Sequence, residues 1–147
     1  IERLEELEWI EREQNLILIG KCSTGKTSLA AHLGRKALEA DIKASYATFD
    51  DFLYTVKHKA MSEKQRQRFK YWTSCSLIII DDVMYTGVSM EDLMVFYQSI
   101  MLLNESRSVI LITNRELSSW TDAAEDKHLM QTLIDRVTAH SQIIRLN

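Results

Sequence analysis

Three short apolar runs, separated by stretches with helical periodicity, limit how this 147-residue chain can fold more than any other feature. The runs are NLILIG (15–20), SLIII (76–80) and SVILIT (108–113). A strand that is apolar at every position must be buried on both faces, which is typical of a parallel sheet covered by helices. We therefore predict an α/β fold of three layers around a mostly parallel, five-stranded sheet.

The segments between these runs complete the sheet and supply its helices. Two further strands are predicted at KASYATF (43–49) and SQIIRL (141–146). Asp50 or Asp51 is expected to cap the helix that follows the first of these. Ser89 and Asp92 resemble a capping box for a later helix. The apolar spacing predicts a first helix carrying Leu4, Leu7 and Ile10, and further helices over about 27–40, 50–56, 62–72, 89–101 and 129–137.

Composition limits the class of protein. The length suits one domain, and 46% hydrophobic with 27% charged residues is ordinary for a globular protein. The net charge of −3 gives no overall attraction to nucleic acid. Cys22 and Cys75 lie far apart and suggest neither a disulfide framework nor a metal site, so we expect a cytoplasmic protein. No apolar run approaches the roughly 18 residues of a membrane span, so no membrane partner is expected.

Two features suggest that the chain is part of a longer protein. It opens at Ile1 within a helical pattern, and it contains no proline, where average usage of about 5% would give roughly seven. We therefore expect residues 1–147 to form one domain cut from a longer chain.

The loop GKCSTGKT (20–27) follows the first apolar run and fits G-x-x-x-x-G-K-[ST] at every position. In this pattern the glycines permit the turn, and successive N–H groups at a helix start bind phosphate. Lys26 then contacts the β- and γ-phosphates, and the Thr27 hydroxyl coordinates Mg²⁺. We predict that ATP and Mg²⁺ are the cofactors. The predicted ATP-binding residues are Gly20, Lys21, Cys22, Ser23, Thr24, Gly25, Lys26, Thr27 and Ser28.

Polar residues follow the other two apolar runs. Asp81 is predicted to hold Mg²⁺ and Asp82 to act as the base that positions water, because phosphoryl transfer needs both roles. Adjacent carboxylates beside apolar residues are costly unless a cation offsets them; the alternative is a turn or a helix cap. Asn114 ends the next strand, where parallel sheets bind ligands, and it either orients water or caps the turn.

These motifs resemble, in order and spacing, the IstB/DnaC-like ATP-binding proteins of the AAA+ ATPases, near the DnaA-type initiators. The resemblance runs from about residue 4 to the end and is carried by the loop, SLIIIDDV, VILITN with SSW, and LIDRV. It implies a Walker A motif with Lys26 and a Walker B motif with Asp81 and Asp82. It also implies a sensor at Asn114.

The same resemblance implies that Arg136 is an arginine finger, which reaches the γ-phosphate of a neighbouring subunit and so requires a homo-oligomer. From the residues alone, an Asp–Arg pair on a helix is usually solvated. The chain departs from the family at Lys21, Cys22 and Ser23, where proline or glycine is common, and at Met84, which replaces a usual glycine. A lid domain is expected to be absent from these residues.

Basic residues cluster between 57 and 70, with six cations against one acid, beside Phe69, Tyr71 and Trp72. Cations can follow DNA phosphates and aromatics can stack on bases. The resemblance places this segment at the channel of the oligomer. The alternative is a solvated helix face with a buried aromatic edge. The predicted DNA-contacting residues are Lys57, Lys59, Lys64, Arg66, Arg68 and Lys70.

The resemblance thus implies an ATPase that assists a DNA transaction. It would help a transposase in transposition or load a replicative helicase. Two alternatives stay open. A P-loop small-molecule kinase would need an arginine-rich lid, which the sequence does not show. A non-hydrolysing nucleotide switch is disfavoured because Lys26, Thr27, Asp81 and Asp82 are all present.

Overall fold

The computed structural model describes residues 2–147, so Ile1, which the sequence places in the first helical segment, lies outside the described residues. Strands and helices alternate along the chain as predicted. The strands are β1 (Asn15–Ile19), β2 (Ala44–Thr48), β3 (Leu77–Asp81), β4 (Ser108–Thr113) and β5 (Ser141–Arg145). The helices are α1 (Glu2–Glu5), α2 (Glu8–Glu11), α3 (Lys26–Glu39), α4 (Phe49–His58), α5 (Glu63–Ser74), α6 (Met90–Leu103), α7 (Leu117–Trp120) and α8 (Lys127–Thr138), with a 3-10 turn at Thr121–Ala123.

The five strands form one sheet in the order β2-β3-β4-β1-β5. Every neighbouring pair is parallel, which confirms the predicted sheet. The carboxyl ends of all five strands therefore meet at one edge. This edge brings together the loop after β1, the two acids at the end of β3 and the asparagine after β4.

Helices cover both faces of the sheet and give it three layers. On one face α3, with α1 and α2, covers a cluster that includes Leu33, Leu77 and Ile79. On the other face α4, α5, α6 and α8 cover a larger cluster that includes Phe52 and Phe96. Strands β1, β3 and β4 are buried at every position, as their continuous apolar runs predict.

The first helical segment differs from the prediction of one amphipathic helix. It breaks at Leu7, whose backbone is left-handed with φ 63°, and so forms the short helices α1 and α2. The break accompanies a hydrogen bond from Trp9 Nε1 to the Leu4 carbonyl, 2.9 Å long. Because the chain turns here, Leu4, Leu7, Trp9 and Ile10 are all buried, although a single helix face could not hold all four.

Two predicted caps are also revised. The prediction that Asp50 or Asp51 caps α4 is wrong, because the cap is Thr48, whose Oγ1 accepts from Asp51 N at 3.1 Å. The two acids occupy the first turn instead, where their negative charge interacts favourably with the positive end of the helix dipole. At α6, Ser89 accepts from Asp92 N as predicted, but the Asp92 carboxylate pairs with a lysine of α4.

None of the helices in residues 2–147 has the length and apolar character required to traverse a bilayer.

Candidate nucleotide-binding site

The loop between β1 and α3 has the backbone expected of a phosphate cradle. Gly25 precedes α3 with φ 90°, a left-handed conformation that favours glycine. No backbone N–H from residue 21 to residue 28 donates to a protein acceptor within the described residues. The first N–H groups of a helix have no partner within the helix, so a run of free donors at a helix start can bind an anion.

Gly20 is required for a different reason from the one the motif suggests. A Cβ at this position would lie 2.6 Å from the Leu146 carbonyl oxygen and 2.7 Å from Thr24 Oγ1. The obstacle is therefore the protein itself. The chain after β5 packs against the start of the loop, where Leu146 N also donates to the Ile19 carbonyl at 2.8 Å.

Lys26 is folded into the loop that precedes it. Its Nζ donates to the carbonyls of Gly20 and of Lys21, the second at 2.8 Å. Only 9% of the residue is exposed. No carboxylate of the described residues forms an ion pair with this ammonium, so its hydrogen bonds go only to neutral carbonyls. A buried cation in this setting favours an anionic ligand.

Asp81 meets Thr27 across the sheet edge, as the predicted Mg²⁺ site requires. Thr27 Oγ1 donates to Asp81 Oδ2 at 3.0 Å, and the Asp82 backbone N–H donates to Oδ1 at 2.8 Å. Asp81 is 5% exposed and forms no ion pair within the described part of the chain. A buried carboxylate held only by neutral donors, beside a hydroxyl, is a donor set that suits Mg²⁺.

Tyr46 is a site residue that the sequence analysis missed. Its hydroxyl donates to Asp81 Oδ2 at 2.6 Å. Burial raises the pKa of the Tyr46 hydroxyl, and the hydrogen bond to Asp81 raises it further, so the phenol stays a proton donor at neutral pH. The signal that could have revealed it is the alternation in β2, which places Tyr46 on the same strand face as Thr48.

Asp82 faces a different environment from Asp81. Its backbone is left-handed, with φ 58°, and so leaves the path of β3. The side chain lines a cavity of about 200 Å³ with Thr48, Asp50 and Tyr85. Burial raises the pKa of Asp82, the charge of Asp81 raises it further, and Lys26 partly opposes both. A partly desolvated carboxylate next to a cavity can accept a hydrogen bond from water there.

Met84 occupies the position where the resemblance leads one to expect glycine. Its φ is 57°, so the backbone does adopt the conformation that glycine favours. The methionine side chain is fully buried in the larger core cluster, and this burial offsets the strained backbone.

Asn114 lies beside the loop, at the end of β4. The Gly20 N–H donates to the Thr113 carbonyl at 3.2 Å, which joins the two segments. Asn114 is exposed and lines a cavity of about 410 Å³ with Gly20, Lys21 and Thr24. Its side chain has no hydrogen-bond partner within residues 2–147, so the alternative of a turn cap receives no support.

An ion pair on the far wall of this second cavity was also missed. Arg145 contacts Glu116 through two nitrogens, at 2.9 and 3.0 Å. The hydrogen bond from Arg145 lowers the pKa of the Glu116 carboxyl. The pair lies between the segment after β4 and the end of β5, so sequence spacing alone could not have joined the two residues.

The family model described as "IstB-like ATP binding protein" matches residues 1–147. The chain belongs to this family. A putative ATP-binding protein of insertion sequence IS232 from Bacillus thuringiensis subsp. berliner is 30% identical over 95% of this chain and 56% of its own length. An IS21-like putative ATP-binding protein of Bacteroides fragilis is 30% identical over 99% of this chain and 56% of its own length. The chain thus spans about half the length of these curated relatives.

Solved structures show the same fold. The DnaC helicase loader superposes with a TM-score of 0.79 at 16% identity, over 94% of this chain and 81% of that one. The replication initiator DnaA bound to AMPPCP and single-stranded DNA superposes with a TM-score of 0.76 at 19% identity, over 99% of this chain and 44% of that one. This IstB-like chain therefore has the α/β P-loop fold of the DnaC and DnaA domains.

The structure does not bring Arg136 of this IstB-like domain to its own P-loop. Arg136 is exposed in the last turn of α8. Its neighbour Val137 lines a small cavity together with Asn15 and Val109, which stand at the amino ends of β1 and β4. Arg136 therefore lies toward the sheet edge opposite Lys26. Asp135 accepts from Gln131 at 2.9 Å, and the structure shows no contact between that acid and Arg136.

The basic cluster of the IstB-like domain is largely engaged with its own side chains. Lys57 pairs with Asp92 at 2.7 Å and Arg66 pairs with Glu63. Lys59 lies 4.9 Å from the centre of the Phe69 ring and Arg68 lies 5.1 Å from that of Trp72. Lys64 and Lys70 are exposed, with no ion pair among residues 2–147.

The aromatic residues beside the cluster divide into two groups. Trp72 is 4% exposed, and its ring stacks on Phe52 with centroids 5.3 Å apart, so it does not present a face to a base. Phe69 packs partly against the same core. Tyr71, by contrast, is 52% exposed. Two of the three aromatic residues of α5 therefore contribute to the core.

Proposed function

We propose that this chain is the nucleotide-binding core of an ATPase that assists transposition. The observation that carries the proposal is the contact between Thr27 and Asp81 at the mouth of a loop with free N–H groups. Transposition is the first candidate because the curated relatives are named as insertion-sequence proteins. Helicase loading is the second candidate because the fold superposes closely on the DnaC helicase loader.

The residues of the site would divide the work of ATP hydrolysis. Free N–H groups of residues 21–28 bind the phosphates, while Lys26 exchanges its carbonyl partners for phosphate oxygens. Thr27 and Asp81 hold Mg²⁺, which offsets the phosphate charge when bound. Asp82 accepts a hydrogen bond from the attacking water. Asn114, on the other side of the loop, orients that water against the γ-phosphate.

A homo-oligomer would complete the site. Arg136 cannot serve its own P-loop from the opposite edge of the sheet, but it is exposed and unpaired among the described residues. A neighbouring subunit could therefore receive it. An arginine supplied in trans stabilises the charge of the transition state and can raise the rate by 10³-fold or more.

DNA would contact the exposed part of the basic cluster. Lys64, Lys70 and Tyr71 are accessible on α5, whereas Lys57, Lys59, Arg66 and Arg68 have partners within the chain. The proposal includes the cytoplasmic location expected from the sequence. Cys22 and Cys75 are both free thiols, which fits a reducing compartment.

An ATPase assay of the full-length protein, with and without DNA, tests the proposal. We expect turnover that rises with protein concentration and with DNA. Mixing Lys26→Ala with Arg136→Ala subunits should restore part of the activity that each variant lacks alone, because one supplies the finger and the other the nucleotide. ATP binding without turnover would support the switch alternative, and turnover only with a phosphoryl acceptor would support the kinase.

The partner distinguishes the two candidate processes. Stimulation of turnover by an insertion-sequence transposase would support transposition, and stimulation by a replicative helicase would support loading.

A further inference from the structure

Three neutral donors converge on the Asp81 carboxylate, and one of them has no role in the chemistry described above. The Tyr46 hydroxyl donates to Oδ2 at 2.6 Å, closer than the Thr27 hydroxyl, which contacts the same oxygen at 3.0 Å. The Asp82 N–H holds Oδ1 at 2.8 Å. Together these bonds fix the rotation of the carboxylate about its Cβ–Cγ bond.

The strand register explains how Tyr46 reaches this acid. Thr48 pairs with Asp81 across β2 and β3, and Tyr46 lies two residues before Thr48, on the same strand face. A diagonal neighbour in a sheet lies within reach of an aromatic side chain. Thr27, at the start of α3, approaches Asp81 from the same layer of the fold.

Packing does not account for a tyrosine at this position. Half of Tyr46 is exposed, on β2, which is the open edge of the sheet. The residue belongs to neither buried cluster. The residue lines a shallow surface pocket with Leu38 and Gly34 of α3, while its hydroxyl makes the short contact to Asp81. The specific interaction of this residue is therefore the hydrogen bond.

We propose that Tyr46 is a positioning residue of the Mg²⁺ site, whose hydroxyl holds the Asp81 carboxylate in the orientation that faces Thr27. This inference rests on the proposed function, because it assigns a role within that site. A group that orients a metal-binding side chain typically contributes 10- to 100-fold to metal affinity. Without the hydroxyl, Oδ2 keeps only the longer bond from Thr27, and the carboxylate is free to turn away.

The test compares Tyr46→Phe with the unchanged protein, in the full-length chain. The affinity of a fluorescent ATP analogue is measured in EDTA and then across a range of Mg²⁺ concentrations. We expect the variant to bind the analogue normally in EDTA but to need about 10-fold more Mg²⁺ for half of the metal-dependent gain in affinity. Phenylalanine keeps the ring, so the variant should fold, which thermal denaturation checks.

Tyr54→Phe is the matched control, because Tyr54 is 53% exposed on α4 and its hydroxyl donates to no group of the described residues. The control should keep the Mg²⁺ requirement of the unchanged protein. An equal Mg²⁺ requirement in Tyr46→Phe, or a loss of affinity already in EDTA, overturns the role of Tyr46 and leaves the proposed function standing. If nucleotide binding by the unchanged protein does not respond to Mg²⁺, the proposed function and this inference fail together.

Discussion

The hydroxyl of Thr27 lies 3.0 Å from Asp81 Oδ2, although 54 residues separate the two in the chain. The contact joins the start of α3 to the end of β3. It exists because β1 and β3 are parallel strands of one sheet with only β4 between them, so that their carboxyl ends share an edge. This single relationship places a hydroxyl and a carboxylate where a metal bound to phosphate would need them.

We expect Asp81→Asn to uncouple nucleotide binding from Mg²⁺. The amide keeps the shape of the side chain but removes the charge that the metal requires. The affinity for nucleotide in EDTA should therefore persist, while ATPase turnover should fall by at least about 100-fold. Asp41→Asn is the control, because Asp41 is exposed and left-handed, a conformation that asparagine tolerates. Normal turnover in Asp81→Asn would contradict the assignment.

Replacing either loop glycine by alanine should lower the free energy of unfolding, but for a different physical reason in each case. In Gly20→Ala the new Cβ meets the Leu146 carbonyl at 2.6 Å, so the folded chain should lose about 1–3 kcal/mol even without nucleotide. In Gly25→Ala the space is open but φ is 90°, which costs about 1–2 kcal/mol through backbone strain. Urea unfolding measures both.

Gly87→Ala provides the control for this pair, since its Cβ would make only an ordinary 3.5 Å contact with the Ala123 carbonyl. Its unfolding free energy should change by no more than about 0.5 kcal/mol. If Gly20→Ala were as stable as this control, the packing of residue 146 against the loop would be wrong.

The exposed lysines should carry the electrostatic part of DNA binding. In the full-length protein, the double variant Lys64→Gln, Lys70→Gln should make the negative slope of log affinity against log salt less steep by about 1.5–2, because two phosphate contacts are lost. The control is the double variant Lys36→Gln, Lys127→Gln, which removes the same charge outside the cluster and should keep the slope of the unchanged protein. An equal slope in both double variants would exclude α5 as the DNA contact.

Patterns that are local in sequence predicted most of the fold. The continuous apolar runs marked β1, β3 and β4 because a strand buried on both faces has no polar position to interrupt it. The P-loop motif marked the start of α3 for a similar reason, since Gly25 before that helix answers to a local backbone requirement. The capping serine of α6 was also found from its short-range spacing.

Features that depend on contacts distant in sequence were not predictable. The contact of Tyr46 with Asp81 depends on the register of two strands, which no spacing in the sequence reveals. The turn at Leu7 depends on burying four apolar side chains beneath α3. The burial of Trp72 stayed undecided because a basic run with aromatic neighbours looks alike whether the ring faces solvent or, as here, Phe52.

The turn that carries Asn114 should depend on a buried hydroxyl next to it. Thr113 Oγ1 accepts from Trp120 Nε1 at 3.3 Å and from the Arg115 N–H at 3.2 Å, and both Thr113 and Trp120 are fully buried. Thr113→Val keeps the branched shape but leaves the indole N–H without an acceptor, which costs about 1–3 kcal/mol. Urea unfolding should show this loss. Turnover should fall as well, because Asn114 is no longer held beside Gly20.

Thr132→Val is the control, because the Thr132 hydroxyl bonds only at the exposed surface of α8. It should change neither stability nor turnover, since surface substitutions stay within about 0.5 kcal/mol. A Thr113→Val protein with normal stability but reduced turnover would instead mean that the hydroxyl acts on the nucleotide site directly.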